Sequence, residues 1–380
     1  MKKVLIVPDS FKGTLSATAV ATIIADAVRA QCPTAEVKEI PVADGGEGSV
    51  DCFLRAMGGE RITCRTVDPL GGEIEGFYGL IHDGRTAVIE MAAAAGLPLL
   101  EGRLAPMQAS TYGAGLLIRD ALARGVSEVI LGLGGSATTD LGCGAAAALG
   151  VRFLNAEGKA FIPTGGRLTE VAHVDTTGIL PAAKSVKMTL MCDVSNPVFG
   201  SEGAAFVFAP QKGASPEEVL LLDAGLRHIC GILQHDLGKD VTALAGGGAA
   251  GGMAAGMVAL FGAGLAMGID TVLSAVGFDA LLAGADAVIT GEGRLDPQSL
   301  AGKVVSGVCA RASAQGVPVI AVCGGIAGDI SRLYERGLTA AFAINRLPED
   351  LSISRKKSAE NLSATVADIL RLFRMHTNKL

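Results

Sequence analysis

Long basic runs are missing from this 380-residue chain, in which 32 Lys and Arg face 38 Asp and Glu for a formal charge of −6. Phosphate backbones attract basic faces, so this balance argues against a nucleic-acid partner. Histidine is scarce: 5 residues and no cluster, which speaks against a zinc site. The 8 cysteines include no C-x-x-C pair. Several of them, such as Cys52, Cys230 and Cys323, sit in apolar patterns, the habit of reduced buried thiols in a cytosolic protein. No G-x-x-x-x-G-K-[ST], H-E-x-x-H or G-x-S-x-G occurs, and Gly302-Lys303 runs into Val304. The opening apolar run is cut by Pro8 and Asp9. It is too short for the core of a signal peptide and reads as a first strand.

What is present is apolar and rich in glycine. Hydrophobic residues make up 49% and charged residues 18%, enough apolar material for large cores, and the length suggests two domains. Glycine numbers 52, about twice the ordinary usage of roughly 7%. It follows no period, so collagen and repeat arrays are excluded, and it gathers where strands end. Residues 243–268 carry no charge and exceed the roughly 20 residues of a membrane span. Their first half is almost all Gly and Ala, and no aromatic belt or basic flank accompanies them. A buried loop and helix is the expectation, in a soluble cytoplasmic protein that does not engage a membrane.

The chain begins as strand, loop, helix, strand, loop, helix. Residues 4–7 form a fully apolar strand; Ser16 can cap a helix to about residue 30 whose Val20, Ile23, Ile24, Ala27 and Val28 share a face; 37–42 is the next strand. A hairpin at 74–81 and 86–90, foreign to a parallel sheet, then marks a change of domain. Ser215-Pro216-Glu217-Glu218 is a strong helix start. Apolar strands at 287–290, 317–322 and 340–344 restore the β/α alternation. The expected fold class is α/β with two dissimilar α/β domains. One is Rossmann-like with a parallel sheet, built from residues 1–70 and 285–380; the other is a mixed-sheet α/β domain, residues 71–284, inserted into it. Ligands of such sheets bind at the carboxyl ends of strands, and the cleft between two domains is a natural site.

Six loops carry the candidate chemistry: 8–13 (PDSFKG), 42–48 (VADGGEG), 132–140 (GLGGSATTD), 192–200 (CDVSNPVFG), 246–252 (GGGAAGG) and 291–303 (GEGRLDPQSLAGK). Glycine lets backbone approach a ligand and turn N–H groups inward. Gly134-Gly135-Ser136 ahead of a helix suits phosphate, with the Ser136 and Thr138 hydroxyls as further donors, although a capped tight turn has the same sequence. For 246–252, glycine for close packing and glycine for phosphate stand equal. Asp9, Asp44, Asp193 and Asp296 each follow a strand end, where a carboxylate serves as turn residue, as metal ligand or as base. Lys12, Lys212, Arg294 and Lys303 lie in or beside these loops and could neutralise an anion.

In series, PDSFKGTLSA at 8–17, VADGGEGSVD at 42–51, GLGGSATTD at 132–140, CDVSNPVFG at 192–200, GAAFVFAPQKGA at 203–214 and GEGRLDPQSLAGK at 291–303 resemble the type 1 glycerate kinase family and span nearly the whole chain. Leu141 stands where that family commonly has Gly, and Ser49 and Ser299 where it has Thr; none of these removes a charge or a hydroxyl. The resemblance implies transfer of a phosphoryl group from ATP to D-glycerate with Mg²⁺, to phosphoglycerate, the 2-phosphate in most bacterial members. Upon it we place expected roles. Gly134, Gly135 and Ser136 cradle ATP phosphates; Asp193 with Asp296 holds Mg²⁺; Lys12 and Arg294 bind the glycerate carboxylate or the phosphoryl group in flight. Asp44 orients the substrate hydroxyl as base, and Ser10 and Asn196 add polar contacts. The expected partners are small molecules, with assembly into a homo-oligomer left open.

Two other readings stand beside this one. Residues 132–137 match G-x-G-x-x-A after a strand, as in an NAD(P)-dependent oxidoreductase of a small hydroxy acid, but no strand ending in Asp or Glu follows at the spacing dinucleotide binding requires. A non-catalytic nucleotide-binding regulator would need fewer loop carboxylates and cations.

Overall fold

In the computed structural model, residues 1–43, 45–300 and 303–377 are described. The chain divides into two units. One comprises residues 1–43, 51–58 and 269–380, the other 44–50 and 59–268.

The first unit is organised on five parallel strands in the order Leu338–Ala343, Val319–Cys323, Ala287–Gly291, Lys3–Pro8, Glu36–Glu39. Ala287–Gly291 and Val319–Cys323 are buried at every position. Strands covered on both faces lose the apolar/polar alternation, which is why these segments read as continuous apolar runs. The helix Ala17–Gln31 starts where expected: the Ser16 hydroxyl accepts from the Ala19 N–H at 3.2 Å, and Val20, Ile24, Ala27 and Val28 are buried. The final helix, Ser358–Thr377, packs on it through Leu362, Val366, Ile369 and Leu370, which join the same core. Four loops emerge at the carboxyl ends of adjacent strands in this sheet, beginning at Asp9, Glu292, Gly324 and Ile344.

The second unit has a mixed sheet, ordered Gly264–Ala266, Lys187–Met191, Glu128–Gly132, Thr86–Glu90, Glu73–Ile81, Glu60–Val67. The first four strands are parallel; the last two join in antiparallel fashion. The hairpin forms as expected, and its turn needs positive φ at His82, Asp83 and Gly84. Thr86–Glu90 is wholly buried because it also pairs in parallel with Glu128–Gly132. Glu60–Val67 pairs along its whole length with Glu73–Ile81, so by hydrogen bonding it belongs to this sheet rather than to the N-terminal strands. The helix Pro216–Leu237 has a complete capping box: Ser215 Oγ accepts from the Glu218 N–H (3.2 Å), and Glu218 accepts from the Ser215 N–H (2.9 Å). Ser215→Ala should therefore lower stability by about 1 kcal/mol, read from the denaturation midpoint of this unit.

The uncharged stretch 243–268 resolves into a glycine-rich loop and the nine-residue helix Met253–Phe261. Among the described residues no helix is long and apolar enough to cross a membrane. All eight cysteines are free thiols.

Candidate functional site

Each unit carries a cavity at the carboxyl ends of its parallel strands. That of the second unit measures about 290 Å³ and is walled by Gly46, Gly134, Gly135, Ser136, Asp193 and Lys212, with Leu97, Val194 and Phe208. Glu128–Gly132 and Lys187–Met191 lie in register, Gly132 opposite Met191, so the loops that follow them leave the sheet side by side.

Backbone contact explains the glycines here. Gly134 N–H donates to the Gly45 carbonyl at 2.9 Å, and a Cβ on Gly134 would stand 2.5 Å from Gly46 Cα. On the other side, a Cβ on Gly251 would overlap the Thr138 carbonyl oxygen, and one on Gly256 the Leu141 carbonyl oxygen. Of the two readings left open for 246–252, close packing is the one the structure gives to Gly248, which lies against the Pro197 carbonyl, and to Gly251. Leu141, where glycine was the familiar residue, has φ +54°, in the left-handed region.

Two parts of the phosphate expectation change. The helix after 132–136 begins only at Cys143 and spans six residues, so Gly134-Gly135-Ser136 is not at a helix N-terminus and draws no benefit from its dipole. The Thr138 hydroxyl is fully buried without a partner and does not line the cavity.

The cation that the loop holds is Lys212. Its side chain is 2% exposed, and its Nζ donates to Ser136 Oγ (2.9 Å) and to the Thr138 carbonyl (2.6 Å). Burial pushes its pKa down to about 7, with the charge of Asp140 pulling the other way. Asp140 is itself fully buried, and burial raises its pKa against hydrogen bonds from Thr111 and from the Gly142 and Gly144 N–H groups. Asp193, exposed at the wall, accepts from the Gly268 N–H at 2.8 Å.

The cavity of the first unit measures about 480 Å³. It brings together Ser10, Lys12, Arg294 and Asp296 from the expected set, and adds Asp9, Glu292 and Lys303. Arg294 is 71% exposed and reaches Asp296 Oδ2 at 3.4 Å. The other Asp296 oxygen accepts from the Gln298 N–H (2.9 Å), an Asx cap on the short helix Pro297–Leu300, so both oxygens of this carboxylate already have partners. Glu292, between Gly291 and Gly293, is 5% exposed, and its Oε1 has no hydrogen-bond partner among the described residues. Burial raises its pKa; the Ser299 hydroxyl and Lys303 oppose this, while Asp9 and Asp296 add to it.

Comparison with known proteins supplies the family. The model of the glycerate kinase family matches residues 4–374. A glycerate kinase of Halalkalibacterium halodurans is 44% identical over 90% of this chain and 91% of its own length. The glycerate 2-kinase of Escherichia coli K12 is 39% identical over 90% of each chain.

The chain belongs to the glycerate kinase family.

A crystal structure of a glycerate kinase 2 candidate from Salmonella typhimurium LT2, 40% identical, superposes with a TM-score of 0.89 over 99% of both chains. Membership makes the protein an enzyme of the phosphotransferase class and sets the oxidoreductase and regulator readings aside. The G-x-G-x-x-A match at 132–137 is a glycine turn packed against Gly45 and Gly46.

Within this family member the expected residues fall in separate places. Gly134, Gly135, Ser136 and Asp193 line the cavity of the second unit, and Ser10, Lys12, Arg294 and Asp296 that of the first. Asn196 lines neither; its side-chain amide donates to the Glu202 carbonyl at 2.8 Å and its backbone carbonyl accepts from the Gly248 N–H. Asp44 lies outside the described residues. Lys212 was visible in the sequence as one of four loop cations, but nothing there marked it as the buried one. Glu292 was passed over in favour of Asp296, although it directly follows the fully buried strand Ala287–Gly291.

Proposed function

We propose that the protein transfers the γ-phosphoryl group of ATP to the hydroxyl of D-glycerate, with Mg²⁺, yielding 2-phosphoglycerate. The observation that carries this reading is Lys212: a buried ammonium on the wall of a glycine-lined cavity, held by a hydroxyl and a carbonyl. A cation so placed answers an anion brought by the ligand, and its desolvation strengthens that attraction. Gly135 and Ser136 flank the phosphates there; Ser136 Oγ, accepting from Lys212, keeps its own proton to donate.

Mg²⁺ fits the donor set in a limited form. Among the described residues no group of three or more His, Cys, Asp or Glu side chains could hold a metal ion. Mg²⁺ bound to nucleotides needs only one or two carboxylates, the rest of its shell being phosphate and water. Asp193 is suited to this, whereas Asp296 is occupied as a cap. When bound, the ion neutralises charge on the phosphate oxygens. In the first unit, Lys12 and Arg294 offer cations for the glycerate carboxylate, with Ser10 beside them.

The test is ³¹P NMR of a mixture of protein, D-glycerate, ATP and Mg²⁺. A new phosphomonoester resonance should grow with ADP and be split into a doublet by the single C2 proton. A triplet would give the 3-phosphate instead, and no glycerate-dependent ester would overturn the reading.

A further inference from the structure

We propose that Glu292 is the base that takes the proton from the glycerate hydroxyl as it attacks the phosphoryl group. The inference rests on the reading above and moves the role expected of Asp44 to a residue that sequence did not single out.

Three observations support it. First, Glu292 sits at the carboxyl end of the central strand Ala287–Gly291, where α/β sheets present groups to ligands, and lines the cavity that also holds Lys12 and Arg294. A glycerate whose carboxylate meets those cations therefore has its hydroxyls in the same cavity. Second, the carboxyl is 5% exposed and its Oε1 takes no hydrogen bond among the described residues. Leaving a buried carboxylate oxygen unpaired is destabilising, and such sites persist where a ligand uses them. Third, the local backbone commits the residue to this place. A Cβ on Gly291 would overlap the Val322 carbonyl oxygen, and one on Gly293 would stand 3.2 Å from Phe11 Cα and the Lys12 N–H nitrogen. The two glycines thus fit the chain closely against Val322 and against Phe11 and Lys12, with Glu292 between them in sequence.

The surroundings make this carboxyl less acidic than usual. Burial raises the pKa of Glu292, and the carboxylates of Asp9 and Asp296 add to that; the Ser299 hydroxyl and Lys303 oppose it. The Cys323 thiol, buried and itself pushed up to about 12, faces it as a neutral group, and Lys12 and Arg294 stand on the same cavity wall. A carboxylate less acidic than usual is a better proton acceptor.

The step balances simply. The hydroxyl oxygen forms a bond to the γ-phosphorus, the bond from that phosphorus to the bridging oxygen breaks, and its electron pair leaves with ADP. The hydroxyl proton passes to the Glu292 carboxylate and from there to water.

The experiment compares wild type, Glu292→Gln, Glu292→Asp and Asp44→Asn by glycerate-dependent ADP release from pH 5 to 9, with thermal unfolding as a check on folding. Wild type should lose kcat/KM at the acid end as Glu292 takes up a proton. Glu292→Gln should lose about 10²- to 10⁴-fold in kcat. Its KM for glycerate should stay within about threefold of wild type and its acid limb should vanish, a split that a structural role alone does not produce. Glu292→Asp should keep a reduced rate and keep the limb, so the proposal stays testable if the Gln variant fails to fold. Asp44→Asn should also keep the limb. Near-normal turnover in Glu292→Gln, or a limb lost in Asp44→Asn and kept in Glu292→Gln, overturns the assignment while leaving the kinase reading intact. A wild type without glycerate-dependent ADP release removes both.

Discussion

Lys212→Met should lower kcat/KM for ATP by about 10²- to 10³-fold, the loss seen when one preorganised donor is removed from a site of developing charge. Methionine keeps the length and apolar stem of the side chain but cannot donate to Ser136 Oγ or the Thr138 carbonyl. Lys212→Arg should not restore the rate, because a planar fork on a longer stem does not place its donors where the compact ammonium meets both Ser136 Oγ and the Thr138 carbonyl. The measurement is ADP release under saturating glycerate, with thermal unfolding alongside. Wild-type kinetics in a folded Lys212→Met protein would sink the phosphate assignment. Acidity adds a signature. The folded protein releases the Lys212 proton near pH 7, whereas the unfolded chain holds it to the ordinary value of 10.5. Burial of this lysine thus destabilises the fold most below pH 7, and that penalty disappears as pH rises toward 10.5. Anion binding runs the opposite way: as pH climbs through 7 the ammonium is lost and the affinity for ATP should weaken. Asp140, buried behind it, and Asp193, on the same wall, are the other charged groups in this setting.

Gly251→Ala should be among the most damaging single methyls in the second unit. Gly251 has φ +65°, and its Cβ would overlap the Thr138 carbonyl and stand 2.5 Å from Thr139 Cα. That carbonyl is one of the two acceptors of Lys212, so any backbone shift that relieves the clash also moves the cation. Overpacking of this kind is destabilising by about 1–3 kcal/mol, to which the left-handed conformation adds roughly 1 kcal/mol. Gly262→Ala separates the two effects, since Gly262 has nearly the same φ, +68°, with no atom near its Cβ. A drop in denaturation midpoint of similar size in both variants would show that packing against Thr138 contributes little.

Sequence made the fold class readable because its signals are local. A Ser-capped amphipathic helix at 17–31, a capping box at 215–218 and a hairpin turn at 82–85 each announce themselves within a few residues. The glycines also stood out, but their reason did not. Gly134 is glycine because Gly46 lies across from it, and Gly251 because Thr138 does, contacts between segments about 90 and 110 residues apart that no spacing rule encodes. Burial was equally hidden: Lys12, Lys212, Arg294 and Lys303 look alike in sequence, yet Lys212 is enclosed and Arg294 is open to solvent. Asp296 looked like a ligand because it follows a strand end, whereas its partners are local, the Gln298 N–H and Arg294. Among the described residues, chemistry was legible where it depends on residue type near a strand end, and illegible where it depends on which neighbour arrives from far along the chain.

The interior position of Lys3–Pro8 bears on how the protein is made. This strand is bordered on one side by Glu36–Glu39 and on the other by Ala287–Gly291, with Val4 opposite Ala287. A ribosome delivering about 5–20 residues per second needs roughly 15–55 s to travel from one to the other. Through that interval residues 59–268, an almost unbroken segment, can collapse upon themselves while the first strand waits with one edge open. The strand Lys3–Pro8 thus gains its second neighbour late, and its exposure to chaperones or to aggregation is set by the time taken to synthesise the unit between.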